Sequence, residues 1–213
     1  MENRKKVIRA RGNKNIRIKV IPGHFATNHS HVNYYVDLTS LKCTFRSAKA
    51  AAEELAKRFI HNTPVDTIIC LEGTKMIGAY LAEELARPGS LSMSEGNDIN
   101  VVHPETNANN QMLFRDNMQD MVWEKNVLLL ISSASTGKTI MRAMDCLQYY
   151  NGRLVGVGAL FSAAEEVAGQ HIESIFTAED LPGYENNLSG QCPMCRDKQK
   201  VDAIVNSFGY SKI

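Results

Sequence analysis

The stretch VLLLISSASTGKT, Val127 to Thr139, decides how this chain of 213 residues is read. Its first half is an apolar run without polar alternation, which predicts a strand buried on both faces, as in a parallel sheet. Its second half, SASTGKT, is a turn of small hydroxyl residues and glycine that leads into a helical pattern over Thr139 to Tyr150. A strand, such a turn and a helix make an anion site: the first backbone N–H groups of a helix have no intrahelical acceptor, and the helix dipole favours negative charge there. Ser135, Thr136 and Thr139 add hydroxyl donors, Lys138 adds positive charge, and Gly137 lets the backbone come close to the ligand.

Working outward, β and α signals alternate. Ser47 to Ile60 predicts a helix, Val65 to Leu71 a buried strand, and Met76 to Ala86 a second helix after the turn EGTK. Ile99 to Val102 is a weak strand, and Asn126 to Ser132 a strong one. Asn151-Gly152 closes the helix that follows the hydroxyl turn. Arg153 to Phe161 and Ile172 to Thr177 are further strands, with a short helix expected between them at AAEEVAGQH and a C-terminal helix over Lys198 to Gly209. Repeated β-α units imply an α/β fold with a mostly parallel sheet and helices on both faces. Ligands then bind at the carboxyl ends of the strands, where EGTK and SASTGK both fall. IRIKVI and VNYYVDL read as short strands of a small hood beside the main sheet.

Composition fits a globular domain: 44% hydrophobic and 22% charged residues, with a net charge of +1. No apolar run reaches the ~18 residues of a membrane span, and no secretory signal precedes the domain, so a cytoplasmic protein without membrane partners is expected. Residues 1–19 hold eight Lys or Arg against Glu2 alone, which leaves the rest of the chain six units negative. This basic arm lacks the interleaved aromatics of a stacking surface, so it reads as a solvated end and not as a nucleic-acid site. Residues 20–213 form the domain, with the hood mainly in 20–46 and C-terminal elements.

Two families place a hydroxyl and glycine turn between strand and helix. A nucleotide-hydrolysing P-loop requires glycine where Ser132 stands, and no later strand ends in a magnesium-binding Asp. Val127 to Thr139 instead resembles the ribose-5-phosphate loop of type I phosphoribosyltransferases. The resemblance continues in order along the chain and is closest to orotate phosphoribosyltransferases. GHFATNHSHVNYYVD, Gly23 to Asp37, is similar to their hood, and Val65 to Leu85 to their pyrophosphate-loop unit. LFRDN, Leu113 to Asn117, is similar to the start of their catalytic loop, and CPMC, Cys192 to Cys195, recurs near the C-terminus of relatives.

The resemblance implies phosphoribosyl pyrophosphate or a nucleoside 5′-monophosphate as ligand, Mg2+ as cofactor, a homodimer, and transfer of phosphoribose to a nitrogenous base in pyrimidine metabolism. It places the 5′-phosphate on Ser135, Thr136, Gly137, Lys138 and Thr139, and pyrophosphate on Glu72, Gly73, Thr74 and Lys75. The ribose falls on Ser132 and Ser133, the base on Phe25, Asn28 and Tyr34, and the catalytic role on Arg115. Ile131 and Ser132 replace the two acids that hold the ribose hydroxyls in the family, and in RDNMQDMVWEK Asp116 and Gln119 stand where the catalytic loop has lysines, with Met121 near the place of its histidine. Charge on the leaving group then has few cations to meet it, so a catalytically impaired nucleotide-binding relative stands beside the enzyme as an alternative.

CPMC is half of a tetrahedral zinc set, but no second C-x-x-C or H-x-x-x-H pair accompanies it. His171 or Cys146, or a second copy of the chain, would complete one only through the fold, and no metal ligand is assigned. His24, His29 and His31 read as a polar surface turn of the hood. Cys70 and Cys146 read as small core residues.

Overall fold

A computed structural model describes residues 2–28, 30–109 and 111–213. The expected alternation of strands and helices is present. The hood contributes β1 (Lys6–Arg9), β2 (Arg17–Ala26) and β3 (His31–Asp37). The short helix α1 (Thr39–Cys43) leads into α2 (Phe45–Phe59), β4 (Thr67–Cys70) and α3 (Lys75–Ala86). After β5 (Asn100–Val102) come a small hairpin, β6 (Glu105–Thr106) and β7 (Met112–Leu113), and one turn of helix, α4 (Asp116–Gln119). The centre is β8 (Asn126–Ala134), α5 (Lys138–Tyr149) and β9 (Arg153–Ser162). The chain ends with β10 (Glu166–Val167), β11 (Gln170–Thr177), β12 (Asn186–Asn187), α6 (Pro193–Arg196), β13 (Ala203–Asn206) and β14 (Gly209–Lys212).

The main sheet runs β10-β11-β9-β8-β4-β5, with every pair parallel except the edge hairpin β10-β11. β8 shows why its residues make a central strand. Leu128 and Leu130 pack with α2 and α3 on one face, and Val127, Leu129 and Ile131 pack with α5 on the other. All five are fully buried, so alternation would have left half of them facing the wrong medium. Each such leucine contributes on the order of 1.5–3 kcal/mol when removed from water. The chain moves outward from β4 to β5 and then in the opposite direction from β8 to β9, so the topological switch lies between β4 and β8, where α/β sheets open a crevice.

The second sheet, β12-β3-β2-β13-β14 with β1 also on β2, is the hood. β1 lies inside the basic arm and pairs antiparallel with residues 17–20 of β2. Arg4 reaches Asp202 at 2.6 Å, and Arg11 reaches Asp180 at 2.8 Å. These ion pairs hold the arm against the C-terminal part of the chain.

Two expected helices are strands. Residues 163–171 contain good helix formers, but Ala168 and Gly169 both take positive φ, 51° and 78°, the geometry of a two-residue hairpin turn between β10 and β11. Residues 198–209 contain β13 and the turn into β14, not a helix. Ala203 and Val205 are buried while Ile204 and Asn206 are exposed, a period of two. The Asn206 side chain accepts the backbone N–H groups of Phe208 and Gly209, which closes that hairpin. Among the described residues no helix is long and apolar enough to cross a membrane.

Candidate phosphate-binding cleft

The crevice at the switch point is a cleft of about 250 Å³. Its floor is the end of β8 and the start of α5, and all five residues from Ser135 to Thr139 line it. Gly137 caps α5 with φ 74°, a left-handed conformation that glycine adopts without strain. This bend ends β8 and starts α5 within three residues, so the free N–H groups of the first helical turn lie at the cleft. A Cβ at Gly137 would come within 2.5 Å of Val167 Cγ2, so the edge hairpin also requires glycine there. One turn beyond Lys138, Arg142 lines the same cleft. The sequence reading missed it, although a spacing of four on a helix places two cations on one face.

The opposite wall comes from the loop after β4. Glu72 lines the cleft, and its φ of 53° makes it one of a left-handed pair with Gly73. Its carboxylate Oε2 accepts the Ser132 hydroxyl at 2.6 Å and the Ser133 backbone N–H at 3.2 Å. Burial raises its pKa above the ordinary carboxylate value, opposed by the bonds from Ser132 and Ser133 and by the charge of Lys42. The carboxylate is therefore beside β8, although Ile131 and Ser132 themselves carry no charge. Lys42 donates to the Glu72 backbone carbonyl at 3.2 Å and to that of Ser207 at 2.5 Å, tying this loop to the β13-β14 turn. Burial holds its pKa below the ordinary lysine value, with Glu72 acting in the opposite direction.

The hood forms the roof. Thr27 and Asn28 line the cleft from the turn between β2 and β3, Tyr34 and Tyr35 from β3, and Asn206 and Ser207 from the C-terminal hairpin. Tyr34 donates its hydroxyl to Pro182 O at 3.2 Å. The lining is thus cationic and hydroxylic at the α5 end and partly aromatic under the hood, which suits an anion joined to a flat group.

Several residues expected at the site stand elsewhere. Phe25 is fully buried in the hood core with Ile21 and Tyr35 and does not line the cleft. Thr74 is buried and donates to Leu71 O and Leu130 O, a structural role at the start of α3. Gly73 and Lys75 are exposed outside the lining. Ser132 is buried beneath it, and Ser133 faces it. Arg115 is exposed and makes a two-pronged ion pair with Glu105 at 2.7 and 3.0 Å, on the β6-β7 hairpin and away from the cleft lining. Removing the guanidinium from that carboxylate would be needed before it could meet a ligand.

Among the residues lining the cleft, Glu72 is the sole carboxylate, and it is already bonded to Ser132 and Ser133. Mg2+ needs an octahedral shell of oxygens with carboxylate support, and this donor set does not fit a protein-held Mg2+. Cys146 is buried on the core face of α5 and His171 lies exposed beside Glu173; among the described residues neither belongs to the group of metal-ligating side chains around CPMC. His24 is buried and His31 half-buried, so the pair is not a surface turn; His29 lies outside the described residues.

No family model and no curated protein matches this sequence. Solved structures do match in fold. The phosphoribosyltransferase of Corynebacterium diphtheriae is 20% identical with a TM-score of 0.53, over 76% of this chain and 90% of that one. The orotate phosphoribosyltransferase of Mycobacterium tuberculosis, in complex with 5-phospho-α-D-ribosyl 1-diphosphate, is 18% identical with a TM-score of 0.50, over 69% and 82%. The UMP synthase of Leishmania donovani is 18% identical with a TM-score of 0.55 over 76% of this chain; the chain spans about a third of that enzyme, 34% of its length. With a parallel sheet, a hydroxyl-glycine turn at its switch point and a hood over the cleft, the chain has the type I phosphoribosyltransferase fold.

Proposed function

We propose that the cleft binds a ligand carrying a 5′-phosphorylated ribose, either phosphoribosyl pyrophosphate or a nucleoside 5′-monophosphate. The observation that carries this reading is the Ser135–Thr139 turn: Gly137 in a left-handed bend, α5 starting behind it, and Lys138 and Arg142 on the same side. Phosphate binds the N–H groups of the helix start, where dipole and donors act together. The ribose lies over Ser133 and Glu72, and the base under the hood near Asn28 and Tyr34.

For the reaction, the same positions serve transfer of phosphoribose between pyrophosphate and a nitrogenous base such as orotate, as in pyrimidine metabolism. Mg2+ then enters as the complex of the pyrophosphate, since the cleft gives it no cage. The transfer step is the weak part of the design. Arg115 is paired with Glu105 outside the cleft, and loss of a single well-placed charge-stabilising donor costs roughly 10²–10³ in rate. That placement, together with Ile131 and Ser132 where the family has two acids, favours a second reading, a nucleotide-binding or regulatory relative with little turnover. We also infer a homodimer in the cytoplasm, by analogy with the resemblance in sequence.

The test is pyrophosphate release from phosphoribosyl pyrophosphate and Mg2+, with and without orotate. Orotate-dependent release supports the enzyme. Saturable binding without release supports the binding relative. Absence of both binding and release overturns the proposal.

A further inference from the structure

The two histidines and the two cysteines that sequence spacing kept apart meet in the hood. His24 lies on β2, His31 begins β3, and Cys192 and Cys195 flank the start of α6. One ligand atom from each lies within 4.8 Å of all the others. His24 Nε2 is 3.6 Å from both sulfurs, Cys195 Sγ is 3.2 Å from His31 Nδ1, and the two ring nitrogens are 2.9 Å apart. A tetrahedral zinc ion with bonds of about 2.3 Å to sulfur and about 2.0–2.1 Å to nitrogen spaces its ligands about 3.3–3.8 Å apart. These four separations, 2.9–3.6 Å, lie close to that spacing, and the widest pair is within 4.8 Å.

The surroundings orient the ligands. His24 Nδ1 is 3.0 Å from the Gln199 carbonyl. A proton on Nδ1 satisfies that carbonyl and leaves the Nε2 lone pair facing the other three ligands, an arrangement typical of zinc-bound histidine. The backbone N–H of His24 donates to Asp202 at 3.0 Å, which fixes the strand beside the cluster. His24 and Cys192 are almost fully buried, so His31 and Cys195 form the open side by which an ion enters.

We propose that His24, His31, Cys192 and Cys195 form a closed, structural Zn2+ site. All four positions come from this chain, which leaves no place for a catalytic water. The ion joins the β2-β3 turn to the C-terminal segment. Both of these supply the roof of the cleft, Thr27 and Asn28 from the first and Asn206 and Ser207 from the second. Zinc would therefore set the shape of the roof, through folding energy held outside the phosphate turn.

The experiment uses the whole chain, expressed in zinc-supplemented medium without a histidine tag and purified without chelator. Metal content is measured by mass spectrometry for the wild type, for Cys192→Ser/Cys195→Ser, and for Cys43→Ser as a control thiol. About one Zn2+ per chain is expected in the wild type and in the control, falling at least about tenfold in the double variant. Because the double variant can fail to fold, chelator-treated wild type is also titrated with Co2+. Sulfur-to-cobalt charge transfer and tetrahedral d–d bands that saturate near one equivalent support the site. Zinc far below one per chain with no cobalt bands overturns it, as does equal zinc in the double variant.

Discussion

Gly137→Ala tests the geometry of the phosphate turn more sharply than any change of charge. The substitution adds one methyl group at a residue with φ 74°, where a side chain costs about 1–2 kcal/mol. The new Cβ would also lie 2.5 and 2.9 Å from the two methyl groups of Val167, too close for van der Waals contact. Val167 is buried with α5's core face, so the clash is overpacking, worth about 1–3 kcal/mol. The expected loss is therefore about 2–5 kcal/mol, read by urea unfolding. Val167→Ala removes the methyl groups that collide and gives a second arm. In the double variant Gly137→Ala/Val167→Ala only the 3.3 Å approach to the Cβ of residue 167 remains, so most of the overpacking is relieved, leaving a favourable coupling of about 1–3 kcal/mol relative to the sum of the single changes. A cost below about 0.5 kcal/mol for Gly137→Ala, or simple additivity with Val167→Ala, would refute the bend and its contact with the edge hairpin.

Other outcomes follow from the same structure. Arg142→Ala should weaken binding of a nucleoside monophosphate by about 1.5–3 kcal/mol by calorimetry, the value of a charge-assisted bond, whereas Arg115→Ala should leave it unchanged because Glu105 holds that guanidinium away. The raised pKa of Glu72 has a definite sign: the folded protein keeps its proton longer than the unfolded chain, so the contribution to stability is complete below the unfolded carboxylate pKa and is lost as pH rises through the folded one. Urea unfolding from pH 4 upward should show this slope in the wild type and not in Glu72→Gln. Leu130→Ala, at the centre of β8 and fully buried, should cost about 2–5 kcal/mol by urea unfolding; a near-zero effect would remove β8 from the core.

How far the sequence led depends on where each signal is written. β4, β8, β9 and α5 are local signals: unbroken apolar runs, then a hydroxyl-glycine turn whose chemistry has few other uses. The Ser135–Thr139 turn that lines the cleft was legible for the same reason. The two mistaken helices, at 163–171 and 198–209, show a local preference overruled. Ala-Glu-Glu and Lys-Gln-Lys favour helix, but the left-handed turn at Ala168-Gly169 and the pairing of Ala203 and Ile204 with β2 favour strand. Phe25 was misplaced because an aromatic residue in β2 could face either side; a register shift between Pro22 and Phe25 turns it into the hood core. The His-Cys cluster was not legible, since His24 and Cys192 are 168 residues apart and meet only when the C-terminal segment returns to β2. Arg142 was legible and missed.

Whether Ser135–Thr139 grips the phosphate of a ribose ligand is read by calorimetric titration of phosphoribosyl pyrophosphate and of UMP into the wild type and into Gly137→Asp. Saturable binding at about one site per chain is expected for at least one of the two ligands, abolished when a carboxylate is placed at the helix start. No binding of either ligand to the wild type, or unchanged affinity in a folded Gly137→Asp, would contradict it.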